Sequence, residues 1–262
     1  MVRRPLGNHH DQPDTLLVTR DTTQTDPVTV ETGNLRELIT NARFVLFDFD
    51  GPVCRLFAGH TAEQVAKELV AWLEQQGLQG LLTEEERVHP DPMVVLYAVN
   101  RRHPQSDLVT ELEERLTQHE RKAVVSAMPT AYADPLIRTW KAVGSRLAVA
   151  TNNSPRTASD YLSLRGLADC FAPHVYGRTS RLDLLKPNPH CLNRALNAMG
   201  AAPSAALMIG DAPTDLYAAE EAGVPFLGYA RNEDKARQLR EAGARVVVGS
   251  LLPVLRVLRD QA

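Results

Sequence analysis

Cysteine is scarce in this chain of 262 residues: Cys54, Cys170 and Cys191 stand alone, and none forms a CxxC pair. An odd number without paired spacing speaks against a disulfide framework or a structural zinc site, and it suits a reducing, cytoplasmic setting. Aromatic residues are also few, at 5%, which argues against a platform for stacking single-stranded nucleic acid bases. Positive charge is not in excess. The formal net charge of -3 leaves no basic field to hold a polyanion, so nucleic acid is not an expected partner. A small anionic substrate can still be held by a few local charges. No apolar run approaches the roughly 20 residues that span a bilayer. The opening MVRRPLGNHHDQPD carries no apolar stretch behind its arginines, so neither membrane insertion nor secretion is expected.

What the chain does have is an ample apolar fraction, 44%, and a length that suits one large domain or two unequal ones. Residues 1–33 are rich in Thr, Asp, Pro and Gly with little periodicity, and they read as a disordered tail in which His9 and His10 are incidental. A short helix is expected at 34–40, with Asn34 as its N-cap. Beyond it, short apolar runs recur at 44–50 (FVLFDFD), 146–151 (RLAVAT), 206–211 (ALMIGD), 224–230 (VPFLGYA) and 244–250 (ARVVVGS), with HVYG at 174–177 weaker. Such runs suit strands buried on both faces of a parallel sheet. Helical patterns at 154–165, 189–199, 214–222 and 233–242 alternate with them. The fold class is therefore α/β, a doubly wound, Rossmann-like parallel sheet with right-handed crossovers. One stretch breaks the alternation. Residues 58–130 are helical in character, with candidate helices at 61–76, 92–100 and 106–126, and they read as a small helical domain inserted into a core of 34–57 and 131–262.

In open α/β sheets, ligands sit beyond the carboxyl ends of the strands, and polar residues accumulate at those ends here. The first strand ends in Asp48 and Asp50, the second in Thr151-Asn152-Asn153, and ALMIGD ends in Asp211, followed by Asp215. Lys186 lies between, in LLKPNPH. Taken singly, each has an ordinary explanation: an Asp is a turn former or helix cap, a Lys a solvated surface group. Gathered in one crevice, the carboxylates would repel one another, and a hard divalent cation with oxygen ligands relieves that repulsion, Mg2+ fitting best. On a strand, residues i and i+2 point to the same side, which would pair Asp48 with Asp50. Gly51 lets the backbone turn sharply behind them.

FDFDGPV resembles the first motif of the haloacid dehalogenase-like superfamily, ATNNS the second, KPNP the third and GDAPTD the fourth. Order and spacing also match, over about residues 44–250. The resemblance implies a magnesium-dependent phosphatase. Asp48 would attack phosphorus to give an aspartyl-phosphate, and Asp50 would protonate the leaving oxygen and then activate water. Mg2+ would be held by Asp48, the backbone carbonyl of Asp50, and Asp211, while Asp215 would orient metal-bound water or Lys186. Thr151 would donate to a phosphoryl oxygen with help from the Asn152 backbone, and Lys186 would offset the gathered negative charge. Gly51, Asn152 and Arg55 complete the expected substrate contacts, and His60 is a further candidate.

The inserted segment resembles the family's C1-type cap, which excludes water and reads the substrate. Arg87, Arg101, Arg102, Arg115, Arg121 and Lys122 are its candidate readers of a second anionic group. The substrate expected beneath such a lid is a small phosphorylated metabolite. Phosphoglycolate phosphatases and β-phosphoglucomutases are the nearest likenesses, with phosphoglycolate the default substrate. The first motif departs from them, since Pro52 replaces the usual Thr and Arg55-Leu56 the usual acidic-Ser pair. A phosphomutase of the same superfamily and a non-catalytic phosphometabolite-binding protein are the alternatives. A haloacid dehalogenase would not need Asp50.

Overall fold

The computed structural model describes residues 32–260. The expected disordered tail lies outside the described residues, except at 32 and 33, which open the first helix. In chain order the elements are α1 (Thr32–Asn41), β1 (Phe44–Phe47), β2 (Cys54–Arg55), α2 (Ala62–Gln75), α3 (Glu84–Val88), α4 (Pro92–Arg102) and α5 (Asp107–Val124). There follow β3 (Met128–Pro129), α6 (Ala133–Ala142), β4 (Arg146–Ala150), α7 (Pro155–Leu164), α8 (Ala168–Phe171), β5 (Val175–Tyr176) and α9 (His190–Met199). The last are β6 (Ala206–Gly210), α10 (Pro213–Glu221), β7 (Phe226–Tyr229), α11 (Glu233–Glu241), β8 (Val247–Val248) and α12 (Leu252–Arg259).

Six of the strands form one parallel sheet in the order β5-β4-β1-β6-β7-β8. Alternate side chains of the central strands enter two different cores, because successive residues of a strand face opposite ways. Val45 and Phe47 of β1 pack with Trp140, Phe171 and Leu255 on one face, whereas Leu46 packs with Leu192, Leu196 and Ala218 on the other. Burial on both faces is why these strands read as continuous apolar runs. Phe47 meets Trp140 and Phe171 edge-on, at centroid distances of 5.7 and 5.9 Å. The doubly wound α/β expectation is met. The strand order reverses direction beside β1, so the crevice opens where β1 and β6 end side by side.

Residues 58–130 hold the expected helices and one unexpected strand. Val65, Leu69 and Leu73 of α2, Val95 and Val99 of α4, and Leu112 and Leu116 of α5 build an apolar cluster of their own. The spacings of three and four residues put each set on one helical stripe. At the root of the segment, β2 and β3 pair antiparallel, Cys54 opposite Pro129 and Arg55 opposite Met128. Two-residue strands are too short to leave a periodic signal, which is why the sequence concealed them. The first core strand is also shorter than its apolar run: β1 stops at Phe47. The chain then turns through Gly51, whose φ is +125°.

Candidate active site

Asp48 follows β1 directly, and its backbone N–H still donates to the carbonyl of Ile209 on β6 at 2.8 Å. Its side chain is thereby fixed at the carboxyl edge of the sheet, beside the end of β6 where Asp211 stands. Asp50 is set by the turn rather than by strand alternation, since the chain has left β1 by that point. Its carboxylate accepts the Leu56 N–H at 2.9 Å. Gly51 is packed so closely that an added Cβ would lie 2.5 Å from Cγ of Asp211. That position contributes by leaving room for a carboxylate, a role distinct from the expected substrate contact.

Lys186 is almost fully buried, and its Nζ donates to Asp48 Oδ1 at 2.9 Å, to the Ala150 carbonyl at 2.9 Å and to Asp215 Oδ1 at 2.5 Å. Asp215 occupies the third position of α10, and its Oδ2 accepts the N–H groups of Asp211 and Ala212 at 3.0 and 3.1 Å. Both Asp215 oxygens are thus engaged, one on Lys186 and one on the start of the helix. Asp211 in turn pairs with Lys235 of α11, Nζ to Oδ2 at 3.0 Å. Carboxylate oxygens of Asp48, Asp211 and Asp215 lie within 4.8 Å of one another.

Burial dominates the electrostatics. It pushes Asp50 up to about 6, with the Leu56 N–H opposing and the Asp48 charge adding to the rise. Asp211 is likewise pushed up to about 6 by burial, opposed by Lys235 and reinforced by Asp48. Asp215 is raised by burial against the pull of Lys186. Burial disfavours the Lys186 charge, but Asp215 and Asp48 outweigh it and hold the ammonium above its ordinary value. A crowd of carboxylates with only oxygen donors fits a hard divalent cation. Asp48 and Asp211 could hold such an ion, whereas both Asp215 oxygens are engaged by Lys186 and the start of the helix.

Residues 42–223 match the haloacid dehalogenase-like hydrolase family. The chain belongs to that family. Among its relatives is the phosphoglycolate phosphatase of Rhodospirillum rubrum, 31% identical over 71% of this chain and 80% of that protein. The pyrophosphatase PpaX of Halalkalibacterium halodurans is 36% identical over 39% of this chain and 48% of its own length. The crystal structure of CbbY from Rhodobacter sphaeroides in complex with phosphate shares the fold. Its TM-score is 0.61 at 20% identity, covering 83% of this chain and 99% of that one.

In this haloacid dehalogenase-like hydrolase, Thr151 is buried and its Oγ1 accepts the Asn153 N–H at 3.2 Å while facing Asn153 Oδ1 at 3.2 Å. The Asn152 side chain grips the Lys186 backbone from both ends, donating to its carbonyl at 3.0 Å and accepting its N–H at 2.8 Å. Asn152 therefore fastens the lysine loop. Arg55 is exposed on β2, with its guanidinium against Met128 Sδ. His60 points into the inserted segment, where its ring stacks on His119. Arg87, Arg101, Arg102, Arg115 and Arg121 are each paired with an acidic side chain. Five of the six expected anion readers are thus surface ion pairs of the kind that long side chains form on solvated helices. Cys54 is fully buried, and burial raises its thiol far above reactivity.

Sequence reasoning overlooked Lys235, which a search of every strand's carboxyl end would have found one turn into the helix after β7. It also overlooked a buried ion pair between Glu120 and Arg178, Oε1 to Nη1 at 2.8 Å. Their separation along the chain leaves no local signal. Among the described residues, no helix is long and apolar enough to cross a membrane.

Proposed function

We propose that this protein is a phosphatase that hydrolyses a small phosphorylated metabolite through an aspartyl-phosphate on Asp48, with phosphoglycolate as the first candidate substrate. The observation that carries the reading is the pairing of two unlike carboxylates in one crevice. Asp48 Oδ1 accepts from the Lys186 ammonium at 2.9 Å, which holds this carboxylate at the edge of the crevice. Asp50, pushed up to about 6 by burial, is poised to hold or release a proton near neutral pH. Two carboxyl groups in unlike surroundings, one held by an ammonium and one by a backbone N–H, divide naturally into nucleophile and acid/base. The likeness to phosphoglycolate phosphatases supports the same chemistry.

An Asp48 oxygen forms a bond to phosphorus as the bond to the leaving oxygen breaks, and Asp50 delivers its proton to that oxygen. The Asp50 carboxylate then takes a proton from water, whose oxygen attacks phosphorus and releases Asp48 and inorganic phosphate. Lys186 holds Asp48 in line and offsets charge at the transferring group. Mg2+ would be held by Asp48, Asp211 and the Asp50 carbonyl, where it supplies further neutralisation of the phosphoryl charge. Thr151 and the Asn152 backbone would donate to phosphoryl oxygens. Residues 58–130 act as a cap domain over this crevice, with residues 34–57 and 131–262 as the core.

A panel of phosphorylated metabolites with Mg2+ tests the reading. Wild-type protein releases phosphate from at least one small monoester, and Asp48→Asn abolishes release without changing the thermal midpoint by more than a few degrees. Near-normal turnover in Asp48→Asn would remove the nucleophile assignment, and silence across the whole panel would remove the phosphatase reading.

A further inference from the structure

Arg178 lies just after β5 and has no exposed side-chain surface, and Glu120 near the end of α5 is equally hidden. All five guanidinium N–H groups meet an acceptor. Nε donates to Glu113 Oε1 at 2.9 Å. Nη1 donates to Glu120 Oε1 at 2.8 Å and the Asn152 carbonyl at 3.1 Å. Nη2 donates to Thr117 Oγ1 at 3.0 Å and Glu120 Oε2 at 3.2 Å. The Arg178 backbone N–H adds a bond to the Asn153 carbonyl at 2.8 Å. Burial disfavours the guanidinium charge, but Glu120 and Glu113 outweigh it and keep Arg178 ionised.

Glu120 reaches the same loop from the other side. Its carboxylate accepts the Asn153 side-chain N–H at 3.1 Å, the Ser154 backbone N–H at 2.9 Å and the Thr157 hydroxyl at 3.3 Å. The loop at 151–154 therefore has two carbonyls held by Arg178, and an N–H and a side chain held by Glu120. Gly177 allows this approach, since a Cβ there would stand 2.5 Å from the Asn153 carbonyl oxygen. The loop then passes its position on, because Asn152 grips the Lys186 backbone and Lys186 reaches Asp48. Glu113, Thr117 and Glu120 recur on one face of α5, so the inserted segment supplies most of the partners of Arg178.

Stability alone is a poor reason for such a pair. Desolvation roughly cancels attraction in buried ion pairs, and apolar replacements of similar volume are often neutral. We infer that Glu120 and Arg178 are positioning residues: they lock α5 of the inserted segment to the 151–154 loop, and through it set Thr151, Asn152 and Lys186 for phosphoryl transfer. This inference rests on the phosphatase reading above.

The test compares wild type, Glu120→Gln, and the paired apolar variant Glu120→Met/Arg178→Met. With Mg2+ and the best monoester of the panel, the apolar pair melts within a few degrees of wild type while kcat falls about 100-fold, the size expected for misplacement by about an ångström. KM changes little. A folded apolar pair with wild-type kcat overturns the inference. If that variant does not fold, Glu120→Gln decides: it keeps the shape but loses the charge, and kcat should fall at least about 10-fold, whereas an unchanged kcat refutes the positioning role. Amide hydrogen exchange over 151–154 gives a readout independent of turnover. Faster exchange in Glu120→Gln supports the lock, and unchanged exchange overturns it even if the wild-type protein proves inactive as a phosphatase.

Discussion

Replacing Lys186 by Met is the sharpest single perturbation of this site. The side chain keeps its apolar length but loses an ammonium that donates to Asp48, Asp215 and the Ala150 carbonyl. Lys186 and Asp215 have almost no exposed side-chain surface, so water cannot replace what is lost. Removing one partner of a buried pair costs about 3–5 kcal/mol. For a chain of this size, each kcal/mol lowers the melting temperature by about 2–4 °C, so a loss of roughly 10 °C is expected near pH 7.5 without divalent metal. The loss should depend on pH, and its sign follows from linkage. Burial already raises Asp215, and without Lys186 only the N–H groups of Asp211 and Ala212 are left to oppose that rise. The folded variant then binds more protons than the unfolded chain between the ordinary Asp value and the raised one, so its stability grows as pH falls through that window. Melts at about pH 5 and about pH 7.5 in a chelator should therefore show the smaller deficit at the lower pH. In Mg2+, phosphate release should fall by about 100-fold or more, as for removal of one well-placed electrostatic donor. A variant that melts within about 2 °C of wild type at neutral pH, or whose deficit is the same at both pH values, would refute the reasoning, since either result means the carboxylates do not depend on Lys186.

Two further outcomes probe the neighbouring acids. Asp50 and Asp211 are both raised from 3.8 to about 6, so each costs the metal-free folded state stability as pH rises through that window, about 3 kcal/mol per group as an upper figure. Asp50→Asn/Asp211→Asn should accordingly be more stable than wild type to denaturant at neutral pH, with the gap closing toward about pH 4; equal stability at every pH would contradict the burial argument. Gly51→Ala combines a φ of +125° with a Cβ 2.5 Å from Asp211, adding about 1–3 kcal/mol of backbone strain and displacing a candidate metal ligand. Its Mg2+ requirement for activity should rise several-fold over that of Gly77→Ala, where φ is +72° but nothing lies within 4 Å; matching Mg2+ titrations would show that Gly51 does not shape the site.

The sequence by itself determined the parallel sheet and the carboxyl edge on which chemistry would gather. Strands buried on both faces must be apolar throughout, so FVLF and ALMIG announce themselves, and the polar residues that end them stand out at Asp48 and Asp211. Helices in the 58–130 segment were legible for a similar reason, through apolar stripes such as Val65, Leu69 and Leu73. What the sequence could not supply were pairings between distant residues. Through the family resemblance it offered Asp215 as a group to orient metal-bound water or Lys186, but only the packed core chooses Lys186 and commits both Asp215 oxygens. The same holds for Lys235 on Asp211, and for five arginines of the inserted segment, which meet acidic partners. Glu120 and Arg178 carried no local pattern at all. Periodicity records which face of an element is dry, because that depends on neighbours one or two turns away. Which buried charge meets which is decided only when elements from opposite ends of the chain close over them and exclude water.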